Sequence, residues 1–359
     1  MLRADVLEAV ARKESVVGRD LSGIDLSGAD LSGGRFEKVN LSGANFSGAQ
    51  LNRTGFADCD LSGARFCGCE LEKCNWIEMY MPGADFTGAR LFMMLFGKSN
   101  VAGANFSGAR LHMCSLQEMD MTGAVFHKAS LEQNALEKTR CDQADFTGAS
   151  LTRLAFSESD MRSVILRKAQ LTKVFFRGCD FSGYDFRGLR MNIVQFDSAR
   201  LDGCDFSDCF LPMCNFSGAS MRASRLAGAR AENALFIGAD LHGALLEGGS
   251  FCQSSFAESN LAGAQCAGGN FELCLFQKAR IQAAVFRGAN LKNADFSYAD
   301  LSGSDFTNCA LYMAQFHKAV EKDTLYQGSK NTLLQSMDKD RAEAEEFIPR
   351  SKDRTMYKR

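Results

Sequence analysis

From Leu21 to Phe316 a hydrophobic residue recurs at every fifth position, without one insertion or deletion, at 60 consecutive sites. The series opens Leu21, Leu26, Leu31, Phe36 and closes Leu301, Phe306, Leu311, Phe316. A period of five matches neither the helix, at about 3.6, nor the strand, at about 2. It therefore describes a repeat architecture, in which each unit buries its apolar side only by stacking on the next. Such a chain presents a long, regular surface, and the functions it points to first are binding functions.

Composition narrows the setting. Hydrophobic residues make up 46% of the 359 positions, enough for a continuous core, with 33 glycines and only three prolines. The formal net charge of −2 by itself favours neither nucleic acid nor acidic membranes as partners. Met1 to Lys13 holds no apolar run of signal-peptide length, and no segment reaches the roughly 18 apolar residues of a membrane span. These features predict a cytoplasmic protein with no membrane partner. Of the 14 cysteines, ten (Cys59, Cys69, Cys74, Cys114, Cys179, Cys204, Cys209, Cys214, Cys274 and Cys309) stand two residues before a hydrophobic site. Ala and Ser fill that slot elsewhere, as at Ala44 and Ser224. Cysteine is thus expected to act as a small buried residue in a reducing compartment, not as a disulfide or metal ligand.

Around each hydrophobic site i the pattern reads small at i−2, Asp or Asn at i−1, Leu or Phe at i, then Ser and Gly. Ala-Asn-Phe-Ser-Gly at 44–48 and Ala-Asp-Phe-Thr-Gly at 84–88 show it in full. This resembles the pentapeptide-repeat family, whose motif is A(D/N)LXX, over most of the chain. The resemblance implies an all-β, right-handed quadrilateral β-helix. Each pentapeptide forms one side, four complete a coil, and i and i−2 point inward. The 60 sites then make about 15 coils, a rod about 70 Å long at a strand spacing of about 4.8 Å.

We number the sides one to four after sites 21, 26, 31 and 36. Sites ending in 6 are mostly Phe and sites ending in 1 mostly aliphatic. Two opposite sides are therefore aromatic and two aliphatic, and large groups are expected to meet smaller ones across the interior. Glycine occupies i+2 in 11 of 15 coils on side one and again on side two. On side three only Gly33 remains, and on side four only Gly178, Gly218 and Gly238. Glycine there suits the positive φ of a type II turn, so type II turns are expected after sides one and two and other turns after the remaining pair.

The ends of such a rod need caps. Residues 1–18 are expected to form an N-terminal helical cap, with Val6, Leu7 and Val10 on one face of a short helix. Residues 19–320 form the β-helix, and 321–359 a C-terminal cap with a mobile tail. Helix-prone 338–346 lies within that last segment, and Thr324–Tyr326 and Thr332–Met337 are expected to cover the last coil.

Catalysis finds little support. His112, His127, His242 and His317 fall on four different sides of the prism, and no phosphate loop, metal motif or nucleophile–base grouping can be assembled. The reading is a non-enzyme with no cofactor and no metal. Sides one and two carry an Asp column, among them Asp25, Asp60, Asp85, Asp120 and Asp300, with a charge of about −5 over the pair. Sides three and four carry larger, more varied groups. The densest cluster of these is Ile77, Tyr80, Arg90, Phe92, Met93, Leu95 and Met113, all expected to point outward, while Met79, Met81, Met94 and Phe96 point inward. An outward Met and aromatic cluster suits an adaptable protein-binding patch.

Two roles within the family frame the expectation. Quinolone-resistance proteins resemble DNA in shape and charge and bind topoisomerases. They are strongly acidic along the rod, which this near-neutral chain is not. Type VI secretion accessory proteins open with a helix followed by repeats, as does Leu2–Arg19 followed by Asp20-Leu-Ser-Gly-Ile-Asp-Leu-Ser-Gly-Ala. The leading expectation is a protein-binding scaffold that loads secretion effectors or binds the apparatus, with the coil ends as a seam for a homodimer. A DNA-mimicking topoisomerase binder is the alternative.

Overall fold

A computed structural model describes residues 2–330 and 338–346. The chain winds as a four-sided parallel β-helix. Every rung pairs a residue with the one 20 positions later, from Ser15 with Arg35 to Ala310 with Lys330. The apolar sites from Leu21 to Phe316 are all buried, and with the i−2 residues they form one core along the whole rod. The period of five thus places both inward positions of each side.

Aromatic packing corrects one expectation. Side-two rings stack along the axis, Phe66 on Phe86 at 4.7 Å between centroids and Phe86 on Phe106 at 4.7 Å. Side four does the same farther along, as in Phe236 on Phe256 at 4.6 Å. The two columns also meet each other edge to face, Phe206 with Phe216 at 5.7 Å and Phe296 with Phe306 at 5.6 Å. Aromatic meets aromatic across the interior, because sides two and four face one another. The edge-to-face arrangement suits the ring quadrupole.

The corners differ from expectation in an informative way. Residue i+2 has positive φ at corners of all four sides, glycine or not: Gly23 at 67°, Lys38 at 53°, Met93 at 52°, Glu118 at 52°. What separates the corners is the turn hydrogen bond. After sides one and two the N–H of i+3 donates to the carbonyl of i, as Ala44 to Leu41 at 3.0 Å and Ala64 to Leu61 at 3.0 Å. These are closed type II turns. On side three from Leu71 to Met191, and on side four from Phe36 to Phe156, that bond is missing and the corner is open. The open sides are extended enough to form three-residue strands, nine in one sheet from Ser15–Val17 to Phe175–Arg177 and seven in another from Glu70–Glu72 to Arg190–Asn192. Beyond Gln195 all four corners close, so the expected division holds for the first part of the rod only. The residue at i+3 follows the corner type. Open corners carry Val39, Met79, Met94, Met119, Asn134, Thr139 and Leu154, whereas closed ones mostly carry Ala. A closed turn draws i+3 in against i, leaving room for little beyond a methyl group.

The ends also differ from the sequence boundaries. Pairing begins at Ser15, with Val16 buried, and runs past 320: Val320, Leu325 and Lys330 pair with Asp300, Asp305 and Ala310. Thr324–Tyr326 is therefore part of a coil, and the Tyr326 ring stacks on Phe306 at 5.5 Å. Glu321 stands exposed at what would be an inward site. The backbone ladder continues regardless, because a rung needs only the edge beneath it. The N-terminal helix α1 (Arg3–Ala11) buries Val6 and Val10 against the first coil, and Arg3 donates to the carbonyls of Asp25 and Ser27, each at 2.9 Å. A second helix, α2 (Lys339–Glu346), is held to the last coils by Glu345, which accepts from Lys318 Nζ at 2.9 Å and from the Tyr298 hydroxyl, and lies 3.2 Å from His317 Nε2. Thr332–Met337 and Ile348–Arg359 lie outside the described residues.

Candidate protein-binding surface

The expected patch residues all reach solvent. Ile77, Tyr80, Phe92, Met93, Leu95 and Met113 are between 36% and 53% exposed, whereas Met79, Met81, Met94 and Phe96 are at most 2% exposed. Their grouping is tighter than the sequence cluster. Phe92 lies on side three, Ile77 and Leu95 on side four, and Met93 and Met113 on the corner between them. Arg90 begins side three and pairs with Glu70 at 3.3 Å. Tyr80 is turned away, around the next corner on side one between Asp60 and Asn100. One member was not anticipated: the His112 ring stacks on Phe92, centroids 5.5 Å apart and nearly parallel at 6°. The signal was available, since Phe92 and His112 are 20 residues apart and so share one outward position.

Beyond this cluster the corner between sides three and four is mixed, with Gln133, Arg153, Lys173, Asn233, Gln253 and Asn293 interrupting the apolar residues. Met213, Leu273 and Met313 occupy the same position in later coils, and each is exposed. All five corner residues hold positive φ, from 52° to 59°. For a residue with a Cβ that conformation costs about 1 kcal/mol relative to glycine. The same conformation is held by Lys38, Glu118 and many other non-glycine corners, so what distinguishes these five is their exposed apolar side chains.

The Asp column is a different kind of feature. Asp20, Asp25, Asp30 and Asp300 each accept the backbone N–H two residues ahead through Oδ1, at 2.9–3.1 Å. Asn40, Asn45 and Asn105 do the same. The carboxylates therefore cap turns. The Ser22 backbone N–H bonded to Asp20 holds that carboxyl below its ordinary range, and the Ser302 hydroxyl and N–H do so for Asp300. Many are also paired with arginine: Arg140 with Asp120 at 3.6 Å, Arg200 with Asp180 at 3.6 Å, and Arg287 with Asp305. The two Asp walls are thus a mixed-charge surface.

Twelve of the fourteen thiols are buried, and Cys67 and Cys252 are half-buried. Cys69, Cys74 and Cys274 each donate to the carbonyl 23 residues earlier at 2.8 Å, and burial pushes the Cys69 thiol up to about 12. No disulfide or group of three metal-ligating side chains occurs among the described residues. No helix there is long and apolar enough to cross a membrane.

Comparison with known proteins agrees with this geometry. The profile for a pentapeptide repeat region matches residues 29–106, and that for pentapeptide repeats matches in overlapping copies between residues 99 and 320. No curated protein matches. Among solved structures, the chain is similar to QnrB1, a plasmid-mediated fluoroquinolone resistance protein, with 28% identity over 44% of this chain and 88% of that one, at a TM-score of 0.29. It is also similar to HetL, a pentapeptide repeat protein involved in heterocyst differentiation regulation from the cyanobacterium Nostoc sp. strain PCC 7120. There the identity is 21% over 87% of this chain and 97% of HetL, at a TM-score of 0.21. Rfr23, from the cyanobacterium Cyanothece 51142, is 20% identical over 38% of this chain and 90% of its own, at a TM-score of 0.20. With the five-residue beat, the four-sided coil and the matched profiles together, the chain belongs to the pentapeptide-repeat family.

Proposed function

We propose that this protein is a non-enzymatic scaffold that binds a protein partner along the corner between sides three and four, centred on Ile77, Phe92, Met93, Leu95 and Met113. The observation that carries the reading is the exposed apolar cluster of Ile77, Phe92, Met93, Leu95 and Met113, gathered on two adjacent sides and the corner between them. Flexible methionines beside flat aromatic rings make an adaptable docking surface. Within that reading, the partner is a bacterial type VI secretion effector or a component of its apparatus, and the protein acts in the cytoplasm as a loading adaptor. The support is the helix-then-repeat opening, in which α1 closes the first coil and leaves the side walls free. The test is Phe92→Asp with Met93→Asp, both on the surface. Capture of an effector or needle-tip protein from the native cells is expected to vanish while the β-rich spectrum persists. Undiminished capture by the variant would sink the proposal.

The topoisomerase-binding alternative depends on an acidic, DNA-like rod. Arginine pairing along the Asp walls counts against it. Gyrase supercoiling assayed with the protein added separates the two readings, and clear inhibition would favour the alternative.

A further inference from the structure

One coil interrupts the ladder. On side one the Asp120–Arg140 and Asp160–Asp180 rungs form, but no rung joins Arg140 to Asp160. On side two Asp145–Ile165 and Asp185–Asp205 form, but none joins Ile165 to Asp185. Sides three and four remain paired through the same coils. The segment 160–168 therefore loses the rung to the preceding coil on side one and to the following coil on side two, while keeping Asp160–Asp180 and Asp145–Ile165. The cause is in its residues. Ser163 is the one corner between residues 13 and 328, among the described residues, without positive φ. Two small-residue slots in succession hold Val164 and Tyr184. The Tyr184 ring packs on Phe186 at 4.7 Å, and its hydroxyl accepts the Leu166 N–H at 3.1 Å, a bond that the Asp185 carbonyl would otherwise receive.

The break opens a cleft of about 590 Å³, lined by Arg162, Arg167, Lys168 and Arg187 above a floor that includes Ile165 and Tyr184. That volume lies within the range of about 300–1,000 Å³ usual for small-molecule sites. Two of the four cations have partners: Arg162 pairs with Asp160 at 2.6 Å and Arg187 with Asp185 at 2.7 Å. Arg167 and Lys168 make no ion pair among the described residues. The lost rungs also leave the N–H groups of Lys168 and Asp185 without an acceptor there, where regular coils pair the equivalent Gly148 with Arg167 and Asp145 with Ala124. Convergent cations with free backbone donors form an anion site.

We propose that this cleft binds a small multivalent oxyanion, a phosphate- or carboxylate-bearing molecule, held by Arg167, Lys168 and the freed N–H groups. Replacing Arg167 with Ser and Lys168 with Gly restores the Ser-Gly found at the equivalent Ser47-Gly48, so this variant is expected to fold. Lys128→Gly removes a cation from the same corner position two coils earlier, where the ladder is intact, and serves as the control. Pyrophosphate and citrate are titrated calorimetrically into the full-length protein, with sodium chloride at matched ionic strength as the baseline. Saturable binding of at least one probe is expected, unchanged in K128G and weakened roughly tenfold or more in R167S/K168G. Binding of neither probe, or equal weakening in both variants, would overturn the proposal.

Discussion

Asn134 offers a direct test of how open corners are held. Its side chain is buried at 2% exposure, one coil above the corner that follows Leu111. Its Oδ1 accepts the Cys114 N–H at 2.8 Å, and its Nδ2 donates to the Leu111 carbonyl at 3.0 Å. Those two backbone groups would bond each other in a closed turn, so one amide replaces the missing turn bond. Asn134→Leu keeps the branching at Cγ, with two bulkier methyl ends, and removes both bonds. Each stranded buried group costs about 1–3 kcal/mol. Burying leucine in place of an amide returns about 1–2 kcal/mol. Taking the middle of both ranges for the two stranded groups, the expected loss is about 2–3 kcal/mol, read from urea unfolding followed by circular dichroism. Because a solenoid loses stability coil by coil, hydrogen exchange adds the local readout. Amides near Cys114 should exchange faster, while those beyond Gln195 keep their protection. A variant within about 0.5 kcal/mol of the parent, with unchanged protection at Cys114, would show that the corner closes by itself and that the amide is dispensable.

Three further outcomes follow from the same geometry. Met93→Gly and Met113→Gly should each hold or raise stability, by up to about 1 kcal/mol, while weakening partner capture, and a clear fall in melting temperature would contradict the strain argument. The capping carboxylates of Asp20, Asp25 and Asp300 have lowered pKa values in the folded state, so the stability they contribute is complete above the ordinary carboxylate value of about 3.9 and is lost as pH falls through the lower folded value. Urea midpoints should decline below about pH 4, and Asp300→Asn should fold normally with a shallower decline, since Asn40 and Asn45 already cap in the same way. Native alkylation at pH 8 with a maleimide should modify Cys67 and Cys252 at most, the two thiols that are only half-buried, and mass spectrometry showing rapid labelling of Cys69 or Cys274 would contradict the inward assignment.

The sequence exposed the patch because an outward position repeats every 20 residues. Met93 and Met113 are visibly in line, and Met79 and Met94 visibly inward. His112 was legible by the same rule. The role of the Asp column was half legible: Asp two residues before a turn N–H is a known local cap, yet the arginine opposite sits one coil away. Asn134 and Tyr184 were not legible, because their partners Leu111 and Leu166 are brought close only by stacking.

The five-residue beat by itself determined which residue of each unit is buried from Leu21 to Phe316 and, with the family resemblance, the four-sided coil and its 20-residue register. The burial pattern follows from local spacing and from the need to bury the apolar residue of each unit. Only the tertiary structure decided which corners close, where the ladder breaks and which carboxylates stay unneutralised. Those outcomes depend on what lies directly above and below each residue, about 20 positions away in sequence and one strand spacing away in space.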